Sequence, residues 1–346
     1  MTRLVGKWSG AWQIAAVYVG TVVGAGFATG KEIVEFFTQY GEFGTVGIVV
    51  SGGLFTWMGT RMMMMARRIG AVSYKELNDY VFGRAMSPLM TILMTLMVIG
   101  VTSVMVAGAG AVFEEQLGLP KQVGMFVTLL LSFIVMLYDI KGLFSVNVFI
   151  VPMMVLFSFA VLGKMLLSEK WCGTGTVMPD YSLKAFLSPF SYAAFNLAMA
   201  QTVLVPLSQE AADEQTVKRG ATLGGILLTM ILLSSHFVLL SFPHLLRYDI
   251  PMAEVIHTFF SLLYWLYIVV IYGEIFTSII GGIFGLQRQF RSMFRVSNVL
   301  FLFVLFLIFY VISSFQYSFL LSLLYPLFGY MSFLMMILLV FRKLPK

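Results

Sequence analysis

Val22-Val23-Gly24-Ala25-Gly26-Phe27-Ala28-Thr29-Gly30 interrupts an apolar run that is otherwise long enough to cross a bilayer. Glycine is the poorest ordinary helix former and takes positive φ without steric cost, so this cluster predicts an opened helix. Inside a bilayer the freed backbone groups must be satisfied by protein, ion or ligand, because lipid offers none. Interrupted crossings of this kind point to the binding site of a secondary transporter. Amides opening the second half-helix suit a carboxylate, and carbonyls closing the first suit a cation. Gly24, Ala25 and Gly26 are therefore candidate substrate contacts, made through backbone more than side chain. The competing reading is a small-residue patch for close helix packing, and Gly20 and Gly24 have that spacing.

Composition sets the environment. Apolar residues make up 60% of the 346 and charged residues 11%, where a soluble domain carries about 25% charge. Mean hydropathy is +0.93. This is the composition of an integral membrane protein. Cys172, the single cysteine, forms no internal disulfide and fits no metal pattern. The net charge of +6 is no nucleic-acid signal here, since membrane proteins collect lysine and arginine in the loops on one side. The polar first residues and the lack of a cleavage pattern predict no signal peptide.

A bilayer core needs about 20 apolar residues per helix. Ten spans are expected, at 9–39 (broken), 44–65, 87–116, 121–140, 143–167, 186–209 (broken), 218–242, 254–284, 294–314 and 317–341. With the N-terminus inside, sixteen basic residues, among them Arg61, Arg67, Arg68, Lys218, Arg219 and Arg342, fall on the inner side. Lys31, Lys121, Lys164, Lys170, Lys184 and Arg247 fall on the outer side. That bias places both termini in the cytoplasm. Tyr74, Leu77, Tyr80 and Val81 recur at helical spacing within 73–83, predicting a short amphipathic helix on the inner surface.

Ten helices divide into two halves of five, about 8–167 and 185–342, within one transmembrane domain. Five is odd, so the halves run in opposite senses. Each is expected to open with a broken helix, the second near Asn196 and Gln201, where two amides intrude on an apolar run. Asn196 and Gln201 are candidate substrate contacts there, or serve equally to join helices by hydrogen bonds. Glu274, deep in the eighth span, is a functional candidate by default. It suits a bound cation, a coupled proton or a substrate ammonium. Glu274, Thr277 and Ser278 share one helix face. Glu32 and Glu35, three apart on the outer half of the first helix, form either a gate with Lys31 or a solvated helix end. His236, a lone histidine in a span, fits hydrogen-bonded packing.

The stretch Gly20 to Glu32 resembles that of the YkvI-type bacterial membrane proteins, and Leu204-Val205-Pro206-Leu207 does so less specifically. Those proteins resemble distant members of the amino acid–polyamine–organocation superfamily, with the LeuT-type all-α fold of five plus five helices. The resemblance implies a sodium site of Thr277 and Ser278 hydroxyls with the Gly20 and Val23 carbonyls, the oxygen ligands a hard cation wants. Back-bonding of both hydroxyls to their own helix is the alternative. The resemblance also implies that Phe195 walls the substrate pocket and that Asn196 lends it an amide. The second sodium site of some relatives is not expected, because Phe27 stands at its asparagine position.

Together these features predict no enzyme and no covalent cofactor. They predict a cation-coupled symporter of the bacterial inner membrane, driven by sodium or protons. Its solute is a small zwitterion such as an amino acid, and its surroundings are the lipid bilayer. The rival is an amino-acid-sensing receptor on the same fold, without transport.

Overall fold

The computed structural model describes residues 7–137, 141–167, 180–293 and 298–344. Cys172 lies outside them, as does the side chain of Ala25. The described chain is helical and contains no strand. The opening crossing is indeed in pieces: α1 (Lys7–Val22), α2 (Ala25–Ala28) and α3 (Lys31–Phe36). Next come α4 (Glu42–Leu54), a π turn over Phe55–Gly59, α5 (Thr60–Ile69) and α6 (Tyr74–Leu117). Then follow α7 (Lys121–Leu137), α8 (Lys141–Leu166), α9 (Leu183–Glu210), α10 (Glu214–Leu240), the short α11 (Pro251–Phe259), α12 (Tyr264–Met293), α13 (Asn298–Ser313) and α14 (Tyr317–Phe341). Among the described residues six helical segments are long and apolar enough to cross a membrane: Glu42–Ile69, Ala85–Leu117, Leu183–Glu210, Glu214–Leu240, Ser261–Gln287 and Tyr317–Phe341.

Two expectations are corrected. The helix predicted to break at Asn196–Gln201 is continuous through α9. Asn and Gln are only mild helix disfavourers, and without glycine nothing there releases the backbone. Their amides turn instead to neighbouring helices. The span expected at 254–284 is two elements, because Phe260 and a 3-10 turn at Ser261–Leu263 separate α11 from α12. The amphipathic segment forms the first part of α6, with Ser73 capping Glu76 N–H. It is set off from the rest by Gly83, whose φ of 76° is one that only glycine adopts freely.

Glycines decide which helices approach closely. A Cβ at Gly220 would stand 2.6 Å from Ile14, and one at Gly224 2.7 Å from Tyr18, so α10 lies directly on α1. Gly225 makes the same close approach to Thr56, and Gly52 packs on Thr229. The Tyr18 hydroxyl donates to Phe55 O at 2.9 Å, where the π turn leaves the regular ladder. His236, between Thr38 and Thr45 at 3.0 and 3.1 Å, joins the same group of helices. A second group gathers around α6, with α7, α12 and α13 packed on it. The fragment α2 rests against α12, where the two groups meet.

The two ends of the bundle differ. At one, Arg61 donates to Leu339 O (2.8 Å) and Val340 O (3.0 Å), Arg67 to Ser208 O and Ala211 O, and Arg68 pairs with Glu214. At the other, Lys31 donates to Leu246 O (3.1 Å) and Tyr248 O (3.0 Å), Lys121 to Phe315 O and Lys164 to Phe259 O. These contacts lie at opposite ends of α14 and of α10.

Candidate functional site

The first interruption is compact. Val23 N–H still reaches Val19 O (2.7 Å), but Gly24 N–H folds back to Val22 O (2.9 Å). Gly24 O then starts the new turn, accepting from Phe27 N–H (3.1 Å) and Ala28 N–H (2.9 Å). Gly20 and Val23 thus sit in the last turn before the break, and Gly24, Ala25 and Gly26 lie at the break and the start of α2. The second interruption, at Thr29–Gly30, is sealed by protein. Gly30 has φ 82°, and Met252 N–H donates to Thr29 O (3.0 Å). The Thr29 hydroxyl donates to Gly26 O (3.1 Å) and meets the Tyr317 hydroxyl (3.1 Å). The Tyr267 hydroxyl donates to Ala28 O (3.0 Å). Sequence reasoning passed over Tyr267 and Tyr317. The available signal was a tyrosine deep in an apolar span, whose hydroxyl needs a partner.

One face of α12 covers the fragment. Tyr267, Glu274 and Ser278 are spaced by seven and four residues and so share that face. Its ends are anchored on α2: Tyr267 bonds Ala28 O, and Ser278 Oγ would lie 3.6 Å from a Cβ at Gly24. Glu274 stands between these anchors. It is fully buried, and among the described residues neither of its carboxyl oxygens has a hydrogen-bond partner. An unpaired charge in such a place costs several kcal/mol or more. The Thr277 hydroxyl donates to Glu274 O of its own helix (3.1 Å), while Ser278 faces the break. Among the described residues no cluster of three His, Cys, Asp or Glu side chains forms.

Lys31 and Glu32 point away from each other. Successive helical residues diverge by about 100°, and these two diverge accordingly. Lys31 turns to the carbonyls after α10, whereas Glu32 turns inward, 2% exposed. One Glu32 oxygen accepts from Asn196 Nδ2 at 3.3 Å. The other lies over Gly26, where a Cβ would meet it at 2.5 Å. Asn196 therefore joins the neighbourhood of the break. Phe195 packs on Tyr325 of α14, with ring centroids 4.5 Å apart. Gln201 does not belong to this neighbourhood. Its amide lies against the sulfurs of Met94 and Met335 (2.9 and 3.3 Å), a turn and a half farther along α9.

No protein-family model matches the chain. Among solved structures, a variant of the manganese transporter of Eremococcus coleocola superposes with TM-score 0.65 at 14% identity, covering 96% of this chain and 79% of that one. Mhp1, a nucleobase-cation-symport-1 family transporter closed around bromovinylhydantoin, gives 0.61 at 16%, over 91% and 74%. A Na+-coupled sialic acid symporter in a substrate-bound outward-open state gives 0.60 at 13%, over 96% and 73%. At these identities the likeness is one of fold, and the fold is that of membrane transporters. The membrane protein YkvI of Bacillus subtilis (strain 168) is 45% identical over 335 residues, 96% of each chain. An identity of that size over nearly the full length of both makes this chain a member of the YkvI family of multi-pass membrane proteins.

Proposed function

We propose that this chain is a cation-coupled secondary transporter that alternates access around the break in its first crossing. The observation that carries this reading is Glu274: a fully buried carboxyl with both oxygens unpartnered, on the α12 face that covers α2. A group so placed gains or loses a cation at large free-energy cost or benefit, and α2 is the element whose position decides whether it does. In this reading the chain crosses the bacterial cell membrane ten times, as LeuT-type inverted halves at about 8–167 and 185–342, with both termini cytoplasmic. The coupling ion is sodium, held by Ser278 and Thr277 with the Gly20 and Val23 carbonyls, or a proton on Glu274. The solute is small and zwitterionic, an amino acid being the simplest, and it meets the backbone of Gly24, Ala25 and Gly26.

Counterflow in proteoliposomes tests this. Vesicles loaded with unlabelled solute should accumulate labelled solute, and net uptake should follow either an imposed sodium gradient or an imposed proton gradient. Binding without exchange would turn the reading into a receptor's.

A further inference from the structure

Glu32 is a second buried acid, and its surroundings differ from those of Glu274. It projects from α3 toward α9 and α14, with Asn196 on one oxygen and the bare backbone of Gly26 under the other. Among the described residues it forms no ion pair. Lys31, next to it in sequence, is held by the carbonyls of Leu246 and Tyr248. Tyr192, one turn before Asn196 on α9, is fully buried beside Glu32, with its hydroxyl turned to that carboxyl. The Tyr192 ring sits in an aromatic cluster with Phe36, Phe37 and Phe55, at centroid distances of 5.1, 4.9 and 5.7 Å. Tyr325 approaches the same carboxyl from α14.

A carboxylate supplies the counter-charge for a cation, the tyrosine hydroxyl beside it supplies a further oxygen, and ring faces favour an alkylammonium over a bare ion because they attract positive charge and accept carbon. A primary ammonium has three N–H donors to share among such oxygens. We infer that Glu32, with Tyr192, is the seat of a protonated amine of the solute. This rests on the transporter reading and adds to it: the charged group that this site selects is an ammonium, and the acid that holds it is distinct from the one that couples transport.

The test uses purified full-length protein in detergent and two matched probe pairs, alanine against lactate and isopropylammonium against isobutyrate. Thermal stability is followed as each concentration rises, since a ligand that binds the folded state raises it by mass action. Expected is stabilisation by the ammonium member of at least one pair and none by its partner. Alanine alone indicates a zwitterion, and isopropylammonium alone an amine without a carboxylate. In Glu32→Gln the half-saturating concentration should rise about tenfold or more, the scale of a charge-assisted contact. Tyr192→Phe should weaken binding less, and Glu35→Gln should leave it unchanged. The inference is overturned if no ammonium probe shifts the wild-type protein, if the anionic partners shift it equally, or if Glu32→Gln binds as the wild type does. The wild-type comparison decides even if Glu32→Gln does not fold. Glu32-dependent ammonium binding without counterflow would sink the transport reading alone, and counterflow indifferent to Glu32 would sink this inference alone.

Discussion

Two glycines two residues apart make opposite demands. At Gly24 an added methyl would rest 3.6 Å from Ser278 Oγ and 3.9 Å from Met105, which is ordinary contact. At Gly26 it would meet the Glu32 carboxylate at 2.5 Å. Gly24→Ala should therefore leave solute exchange near the wild-type rate, while Gly26→Ala should insert and fold but lose most of it. Equal counterflow by the two variants would separate Glu32 from the site. Glu274 makes a different prediction. Its replacement by glutamine keeps the shape and removes the ionisable group, and exchanging a buried unpaired acid for a neutral isostere is neutral or stabilising. Glu274→Gln should melt no lower than wild type, should still exchange labelled for unlabelled solute, and should no longer accumulate it against a gradient. Accumulation at the wild-type level would remove Glu274 from coupling. Both acids could be picked out in the sequence, but their partners could not. Glu274 stood out because an acid in an apolar span has few innocent explanations. Glu32 read as half of a surface gate, because its inward turn depends on the second kink at Gly30 and on Asn196 arriving from another helix.

At the scale of elements, breaks were legible where glycine makes them and misread where polar side chains only resemble them. The opening crossing is interrupted at Val23–Gly24 and again at Thr29–Gly30, both within the stretch whose composition announced it. The continuous α9 shows the other case: Asn196 and Gln201 spend their amides on Glu32 and on methionine sulfurs, and the backbone ladder beneath them is undisturbed. The contact of α1 with α10 was not legible at all, since Gly220 and Gly224 look like any small pair until Ile14 and Tyr18 are seen pressed on them. That contact yields a prediction. Gly224→Leu should overpack the seam and lower stability by about 1–3 kcal/mol. Tyr18→Phe, which strands the Phe55 carbonyl at the π turn, should cost about 1–3 kcal/mol by leaving a buried acceptor unmet. Thermal melts in detergent would show both, and unchanged midpoints would mean that the seam opens readily instead of moving as a unit.

For the whole molecule, the question is which end of the bundle faces the cytoplasm. Six of the basic residues assigned to the two sides by the positive-inside rule sort to two ends. Arg61, Arg67 and Arg68 hold the ends of α14, α9 and α10 together, and Lys31, Lys121 and Lys164 cap carbonyls at the other extremity. With 25 residues, α14 separates the two sets by about 37 Å, more than the roughly 30 Å hydrocarbon core of a bilayer. Each set also has a structural task, binding main-chain oxygens that a helix end leaves free. The charge bias is thus built into the tertiary contacts, and reversing the protein in the membrane would leave those contacts intact. Orientation has to be read from outside. Leu119, in the exposed turn between α6 and α7, and Ala212, in the exposed turn between α9 and α10, mark the two ends. With Cys172 replaced by serine, Leu119→Cys should react with a membrane-impermeant maleimide on intact cells. Ala212→Cys should react only after the membrane is permeabilised. The reverse pattern would invert the molecule and place the amine seat at Glu32 nearer the cytoplasm, and labelling of both positions on intact cells would contradict a span between them.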